Sequence, residues 1–245
     1  MARTLPHVEE ALRVDGTWPS AITLSRGWCR ARARPWNEIS PQAYLRLERG
    51  GVSFLRAATK TLIDLGAPGV LSPALHLSST RVWRRSGYRA AHRLQIMERH
   101  LSASMPEPTR PVLPPIDPRW DRIVAIDDAA FAPFWRLGRL GLEEALASTQ
   151  RSVLFVVKEG SEIAGYAIVG SQLGSSHLQR IAVDPAYSGN GMGADLVRAA
   201  LLWARPTATS IALNVQPENT AARRLYIREG FRDTGSFLHI LRYEP

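Results

Sequence analysis

One cysteine, Cys29, stands in 245 residues, which excludes a disulfide framework and a cysteine-based metal cluster. No run of eighteen apolar residues occurs, so no stretch suits a helix that spans a bilayer. The opening, MARTLPHVEEALRVDG, carries charges where a secretion signal needs an apolar run. The expectation is a cytoplasmic protein that does not enter a membrane. Lysine is almost missing: of 31 basic residues only Lys60 and Lys158 are not arginine. Genome base composition explains that bias as readily as function does. Acidic residues are scarce only in the first part. Residues 1–104 hold 16 basic and 7 acidic side chains, a net of +9, whereas residues 105–245 hold 15 of each. A hydrophobic share of 45% is that of a globular protein.

The stretch MPEPTRPVLPPIDPRW (105–120) contains six prolines. Proline at that density continues neither a helix nor a central strand. It predicts an extended linker over 105–117, between a basic unit over 1–104 and a second unit over 118–245.

In the second unit WDRIVAIDDAAFAPFW and LGLEEALASTQ keep helical spacing. SVLFVVKEGSEIAGYAIVGS reads as strand, turn, strand. HLQRIAVDP is a third strand, residues 193–205 a helix, 210–216 a strand, 219–230 a helix closed by Gly230, and 237–243 a last strand. The basic unit ends in a similar cadence: helix in VSFLRAATKTLIDLGA, strand in GVLS, helix in SSTRVWRRSGY, strand in HRLQIME. STRVWRRSGYR (79–89) and ARRLYIREGFR (222–232) share an aromatic, a glycine four residues on, a second aromatic and an arginine. That suggests a worn duplication, with chance as the alternative.

Gly189, Gly191 and Gly193 stand at alternate positions between a strand and a helix. Strand, glycines, helix is the anatomy of a phosphate site, because free backbone N–H groups at a helix N-terminus attract an anion. No lysine follows as a Walker loop requires. A dinucleotide fingerprint needs its loop directly after the strand and an acid about 20 residues on, where Asn214 stands. An ordinary glycine-rich turn is the bland alternative.

A second motif decides between them. RIAVDPAYSGNGMGADLV resembles the coenzyme A loop of the GCN5-related N-acetyltransferases, and NVQPENTAARRLYIREGF resembles a later part of the same family. The resemblance covers about residues 118–243. It implies a mixed α/β (α+β) fold, with a central, mostly antiparallel sheet flanked by helices. The short match at 79–89 then implies a smaller, degenerate copy of that fold in the basic unit. The activity implied is acetyl transfer from acetyl-CoA, as cosubstrate, to a primary amine of a small molecule or a protein N-terminus.

By resemblance, the backbone of Ile181, Ala182 and Val183 binds the pantetheine arm. Ser188, Gly189, Asn190, Gly191, Met192, Gly193 and Ala194 hold the pyrophosphate, and Asn219 contacts the cofactor. Tyr226 acts as general acid toward the departing sulfur; a core aromatic on an amphipathic helix is the alternative. The family usually has Arg or Gln where Ser188 stands. The general base is not legible. Ribosomal-protein N-terminal acetyltransferases carry Glu where this chain has Asn214, and other members a carboxylate at Gln179; an amide cannot take the proton. His177 titrates near neutrality in water, and is equally an ordinary satisfied histidine. Asp127, Asp128, Glu143 and Glu144 either flank the acceptor cleft or form solvated faces. A water relay without a dedicated base is a further alternative.

The charge of 1–104 suits an anionic partner such as nucleic acid or the ribosome. Against it, RGWCRARARPW (26–36) alternates as an exposed strand does. A non-catalytic acyl-CoA-binding or nucleic-acid-associated regulator is the other class of function. Monomer and homodimer both stay open, and no metal is expected.

Overall fold

The computed structural model describes residues 11–245 apart from Glu38 and Ala103. The charged opening read above therefore lies largely outside the described residues. The chain forms two compact units, neither contiguous in sequence. The first gathers the described residues up to Trp36, Ser40–Arg93 and His239–Pro245; the second gathers Asn37, Ile39 and Leu94–Leu238.

The first unit opens with four strands, β1 (Arg13–Asp15), β2 (Ile22–Arg26), β3 (Cys29–Pro35) and β4 (Ala43–Arg49). They pair antiparallel in sequence order, with Leu24 opposite Ala31 and Ala33 opposite Leu45. Along β3, Ala31 and Ala33 are buried while Arg32 points to solvent, so the arginine-rich stretch is half of an alternating strand. Helix α1 (Val52–Asp64) follows, then β5 (Val70–Leu71), parallel to β4. Next come β6 (Leu75–His76), α2 (Arg81–Arg85) and β7 (Arg89–His100). Leu24, Leu45, Phe54, Leu62, Trp83 and Leu241 are among the residues of this unit's core.

The second unit holds β8 (Val112–Leu113), α3 (Trp120–Ala130), α4 (Arg139–Ala147), β9 (Arg151–Glu159), β10 (Glu162–Gln172) and β11 (Ser175–Val183). After these come α5 (Met192–Ala204), β12 (Ser210–Val215), α6 (Thr220–Arg228) and β13 (Arg232–Tyr243). Strands β9, β10 and β11 are antiparallel, β12 joins β11 in parallel, and the end of β7 pairs antiparallel with β12. Both faces of this sheet are covered. Ile163, Tyr166 and Ile168 of β10 cluster with Ile123 and Ile126 of α3 and Leu142 of α4. Ala164, Ala167 and Val169 cluster with Leu196, Val197 and Leu201 of α5. Two covered faces explain why β10 reads as one continuous apolar run.

The element order repeats. Apart from the two-residue β6 between β5 and α2, three antiparallel strands, a helix, a strand parallel to the third, a helix and a long strand occur as β2–β3–β4–α1–β5–α2–β7 and as β9–β10–β11–α5–β12–α6–β13. The similar segments 79–89 and 222–232 are the same helix-ending turn. The N–H of Tyr88 donates to the carbonyl of Trp83 at 3.2 Å, and that of Phe231 to Tyr226 at 2.9 Å. Gly87 and Gly230 sit at φ +98° and +82°, as this helix end requires. Each order ends on a strand that completes the other unit: residues 95–100 of β7 pair with β12, and Arg242 and Tyr243 of β13 pair with β5.

The division therefore differs from the expected 1–104, 105–117 and 118–245. The chain passes from one unit to the other inside β7, after Arg93, and inside β13, after Leu238. Nor is 105–117 a free linker. Met105 and Val112 are buried, and Val112 and Leu113 pair with Val157 and Val156 at an edge of the second unit's sheet. An edge strand needs N–H groups on one side only, which proline-rich sequence tolerates.

Candidate active site

The pairing of β11 with β12 stops early. Their parallel register runs from Ser175–Ser210 to Leu178–Leu213 and no further. Beyond it the strands part, and a cavity of about 600 Å³ opens between Gln179–Val183, Asn214–Gln216 and the facing turns of α5 and α6. On its other side β11 stays bonded to β10, up to Val183 opposite Gly165. Gln179 is the extra residue of a bulge there, between Leu178 opposite Val169 and Arg180 opposite Ile168.

The glycine stretch forms the cavity's floor, and its three glycines serve two purposes. After β11 the chain makes a short 3₁₀ turn over Pro185–Tyr187, which the Asp184 carboxylate caps by accepting from the Ala186 N–H at 2.9 Å. That bond, with help from the Arg122 guanidinium, holds the Asp184 carboxyl below its ordinary pKa. Gly189 and Gly191 then sit at φ +84° and +83°, a backbone that side-chain-bearing residues resist. Gly191 caps α5, whose first internal bonds run from the N–H groups of Ala194 and Asp195 to the Gly191 carbonyl. Met192 and Gly193 therefore present N–H groups with no intrahelical acceptor. Gly193 has another reason: a Cβ there would stand 3.1 Å from Leu225 Cδ2, so its absence lets α6 approach α5.

The neighbouring proline-rich segment braces this helix end. Asp195, 1% exposed in the first turn of α5, accepts from the Thr109 N–H (2.7 Å), the Thr109 hydroxyl (2.9 Å) and Arg110 Nη1 (2.9 Å). Desolvation opposes its ionisation, but these donors together outweigh it and hold its pKa below the usual value.

Tyr226 lines the cavity from α6, 6% exposed, with its ring 5.9 Å from that of Phe231. Burial pushes its pKa up to about 12, against a smaller lowering by Arg180. Helix α6 is held in place by a bidentate pair between Arg198 of α5 and Glu229, both contacts at 3.0 Å. Asn219 also lines the cavity, but its side-chain oxygen accepts from the Ala222 N–H at 3.1 Å and caps α6.

Ile181, Ala182, Val183, Ser188, Gly189, Gly191, Met192, Gly193, Ala194, Asn219 and Tyr226 thus line one cavity; Asn190 is not among its lining residues. Gln179 and Asn214 line it too. The described lining residues include no carboxylate and no histidine. Asp127 is no solvated face: it is fully buried, bound by Arg180 through two contacts of 2.7 and 2.8 Å, by the Tyr166 hydroxyl and by the Leu137 N–H. Arg180, Phe131 and Trp135 make the cavity's other wall, with the guanidinium 3.5 Å from the Phe131 ring centroid. Glu143 pairs with Arg139 on the surface of α4.

His177 sits one layer back from Asn214, with 3.3 Å between His177 Nε2 and Asn214 Nδ2. Desolvation lowers its pKa to about 4, so it is neutral at pH 7 and orients an amide. Between pH 6.5 and 4 only the unfolded chain protonates this group. Stability is therefore expected to fall as pH drops through that window, by up to about 3 kcal/mol, and to lose no more from this group below pH 4. His177→Gln should flatten that part of the curve in urea titrations at pH 7, 5.5 and 4.5. An unchanged dependence would show that the histidine is not the group responsible.

Comparison with known proteins agrees with this geometry. The model of the acetyltransferase (GNAT) family matches residues 120–231. The N-alpha-acetyltransferase RimI of Mycobacterium tuberculosis is 37% identical over 83 residues, 32% of this chain and 51% of that protein. The chain thus spans about half the length of that curated relative. A GCN5-related N-acetyltransferase from Sphaerobacter thermophilus has a similar structure, with a TM-score of 0.56, 19% identity, and coverage of 92% of this chain and 81% of that one. A tandem GNAT protein from the clavulanic acid biosynthesis pathway reaches a TM-score of 0.62 at 12% identity, over 91% of this chain and 82% of that one. The mixed sheet flanked by helices, the parted strands above a glycine-capped helix and the family match lead to one conclusion: the second unit, through residues 120–231, belongs to the acetyltransferase (GNAT) family.

Proposed function

We propose that the second unit transfers the acetyl group of acetyl-CoA to a primary amine while both are bound. The observation that carries this reading is the parting of β11 from β12 after Leu178 and Leu213, directly above the capped end of α5. The freed edge of Ile181–Val183 offers backbone groups to a pantetheine arm. The turn from Ser188 to Ala194, with the N–H groups that begin α5, cradles the pyrophosphate. Asn219 faces the cofactor with its amide while its oxygen caps α6.

The thioester supplies a carbonyl carbon that an unprotonated amine attacks. Tyr226 keeps its proton at neutral pH, because burial disfavours the phenolate, and gives it to the sulfur as that departs. With no carboxylate or histidine among the described lining residues, the amine loses its proton to water, and water returns a proton to the Tyr226 phenolate once the thiol has formed. The name of the Mycobacterium tuberculosis relative, an N-alpha-acetyltransferase, supports a protein N-terminus as acceptor over a small-molecule amine.

Tyr226→Phe is expected to lower kcat about a hundredfold while leaving the acetyl-CoA dissociation constant unchanged, in steady-state assays with peptides bearing free N-termini. An unchanged kcat would return Tyr226 to the role of a core aromatic. Acetyl-CoA binding without turnover on any amine would favour the non-catalytic reading, as would salt-dependent nucleic-acid binding without turnover.

The first unit fits a second copy of the fold that has lost its cradle. Only Gly50 and Gly51 join β4 to α1, and a Cβ at Gly50 would stand 2.7 Å from Phe54 Cδ1, so the Phe54 ring takes the space beside this short turn. Trp83 occupies the place of Tyr226 in the repeated helix-ending turn, and it has no hydroxyl to donate.

A further inference from the structure

We infer that Arg110, from the proline-rich segment, is the side-chain ligand of the acetyl-CoA pyrophosphate, in the role that Ser188 leaves unfilled in the loop. The inference rests on the acetyl-CoA reading above. Its starting point is position: Arg110 Nη1 lies 3.5 Å from where a Cβ on Gly191 would stand. Gly191 both lines the cavity and caps α5. The guanidinium, though not itself among the cavity's lining residues, therefore stands beside the residue that caps this helix end, where an anion is favoured.

Ser188 lies in the same turn, but its short hydroxyl brings no charge to a phosphate. A guanidinium does, and its planar fork matches phosphate oxygens. Asp195 engages Nη1 alone, out of five N–H donors on the group. The side chain remains 35% exposed while its partner Asp195 is 1% exposed, so the pair has one face toward solvent. The pair also removes a conflict. A lone carboxylate in the first turn of α5 would repel an incoming pyrophosphate, and Arg110 cancels that charge on the spot.

The backbone around Arg110 is held on every side. Thr109 is bonded to Asp195 through both its N–H and its hydroxyl. Val112 is buried, and β8 is paired to β9. Pro108 and Pro111 restrict the chain on either flank. Little ordering is left for ligand binding to impose, as a preorganised contact requires.

The test is calorimetric titration with two ligands, acetyl-CoA and acetyl-pantetheine, the second lacking every phosphate. The unaltered protein is titrated first. Its failure to bind acetyl-CoA would overturn the acetyl-CoA reading itself, independently of the arginine. Given binding, Arg110→Met is expected to weaken acetyl-CoA about ten- to a hundredfold, the range for a charged hydrogen-bonded contact. Acetyl-pantetheine affinity should change less than twofold. Arg110→Lys should recover part of the loss, as a charge without the fork. Because Arg110→Met strips Asp195 of its cation, Arg110→Met/Asp195→Asn is measured beside it, and the same ligand-selective loss is expected. Unchanged acetyl-CoA affinity in both variants would overturn the assignment. So would an equal loss for both ligands, which is the signature of a brace for α5 only.

Discussion

Acetyl-CoA is expected to raise the unfolding temperature of the unaltered protein, and Gly191→Trp is expected to abolish that rise. A ligand at 100 times its dissociation constant adds about 2.7 kcal/mol to stability, a shift of several degrees that is easily read. The substitution removes it for two reasons. At φ +83° any residue with a Cβ strains the backbone by about 1–2 kcal/mol, and the cap of α5 shifts to relieve it. The indole also fills the space between the helix end and Arg110. Gly160→Ala separates the two effects. Gly160 is also left-handed, at φ +59°, in the turn between β9 and β10, with open space around its Cβ position. It should cost similar backbone strain and leave the acetyl-CoA shift intact. A retained shift in Gly191→Trp would remove the cofactor from this loop.

Asp127→Ala is expected to cost about 3–5 kcal/mol in urea unfolding, because it leaves Arg180 as an uncompensated, largely buried charge. Asp127 joins four parts of this unit: α3, which carries it, Tyr166 of β10, Arg180 of β11 and the chain at Leu137. Arg180 in turn donates to the Trp135 carbonyl at 2.7 Å. The double variant Asp127→Ala/Arg180→Met should be milder than Asp127→Ala, since no unpaired charge remains and methionine fills apolar space. A double variant as unstable as the sum of the two single ones would show that the two side chains act independently. Phe131 and Trp135 line the cavity beside Arg180, so the pair also shapes that wall of the cavity.

Local pattern carried most of the second unit. The helices at Trp120–Ala130, Met192–Ala204 and Thr220–Arg228 follow from apolar spacing, and the turn at Gly230 from its glycine. The two motifs located the loop and Tyr226 because both lie within short, continuous stretches. The first unit was less legible. Its strands β1, β2 and β4 went unread, since pairing with neighbours, rather than the period of each short stretch, makes them a sheet. The proline run was misjudged because its packing partners, β9 and α5, come more than forty residues later.

The sequence by itself determined the element order of the second unit and singled out residues 188–194 and Tyr226 as candidates for a site, for these depend on neighbours along the chain. The tertiary structure alone showed that the missing Cβ of Gly193 makes room for Leu225. It alone showed that the last strand of each repeat completes the other unit. It paired Asp127 with Arg180, and it placed Arg110 beside Gly191. Each of these is a contact between residues far apart in sequence, and its energy comes from desolvation and close packing. No composition, spacing or period along the chain records that proximity.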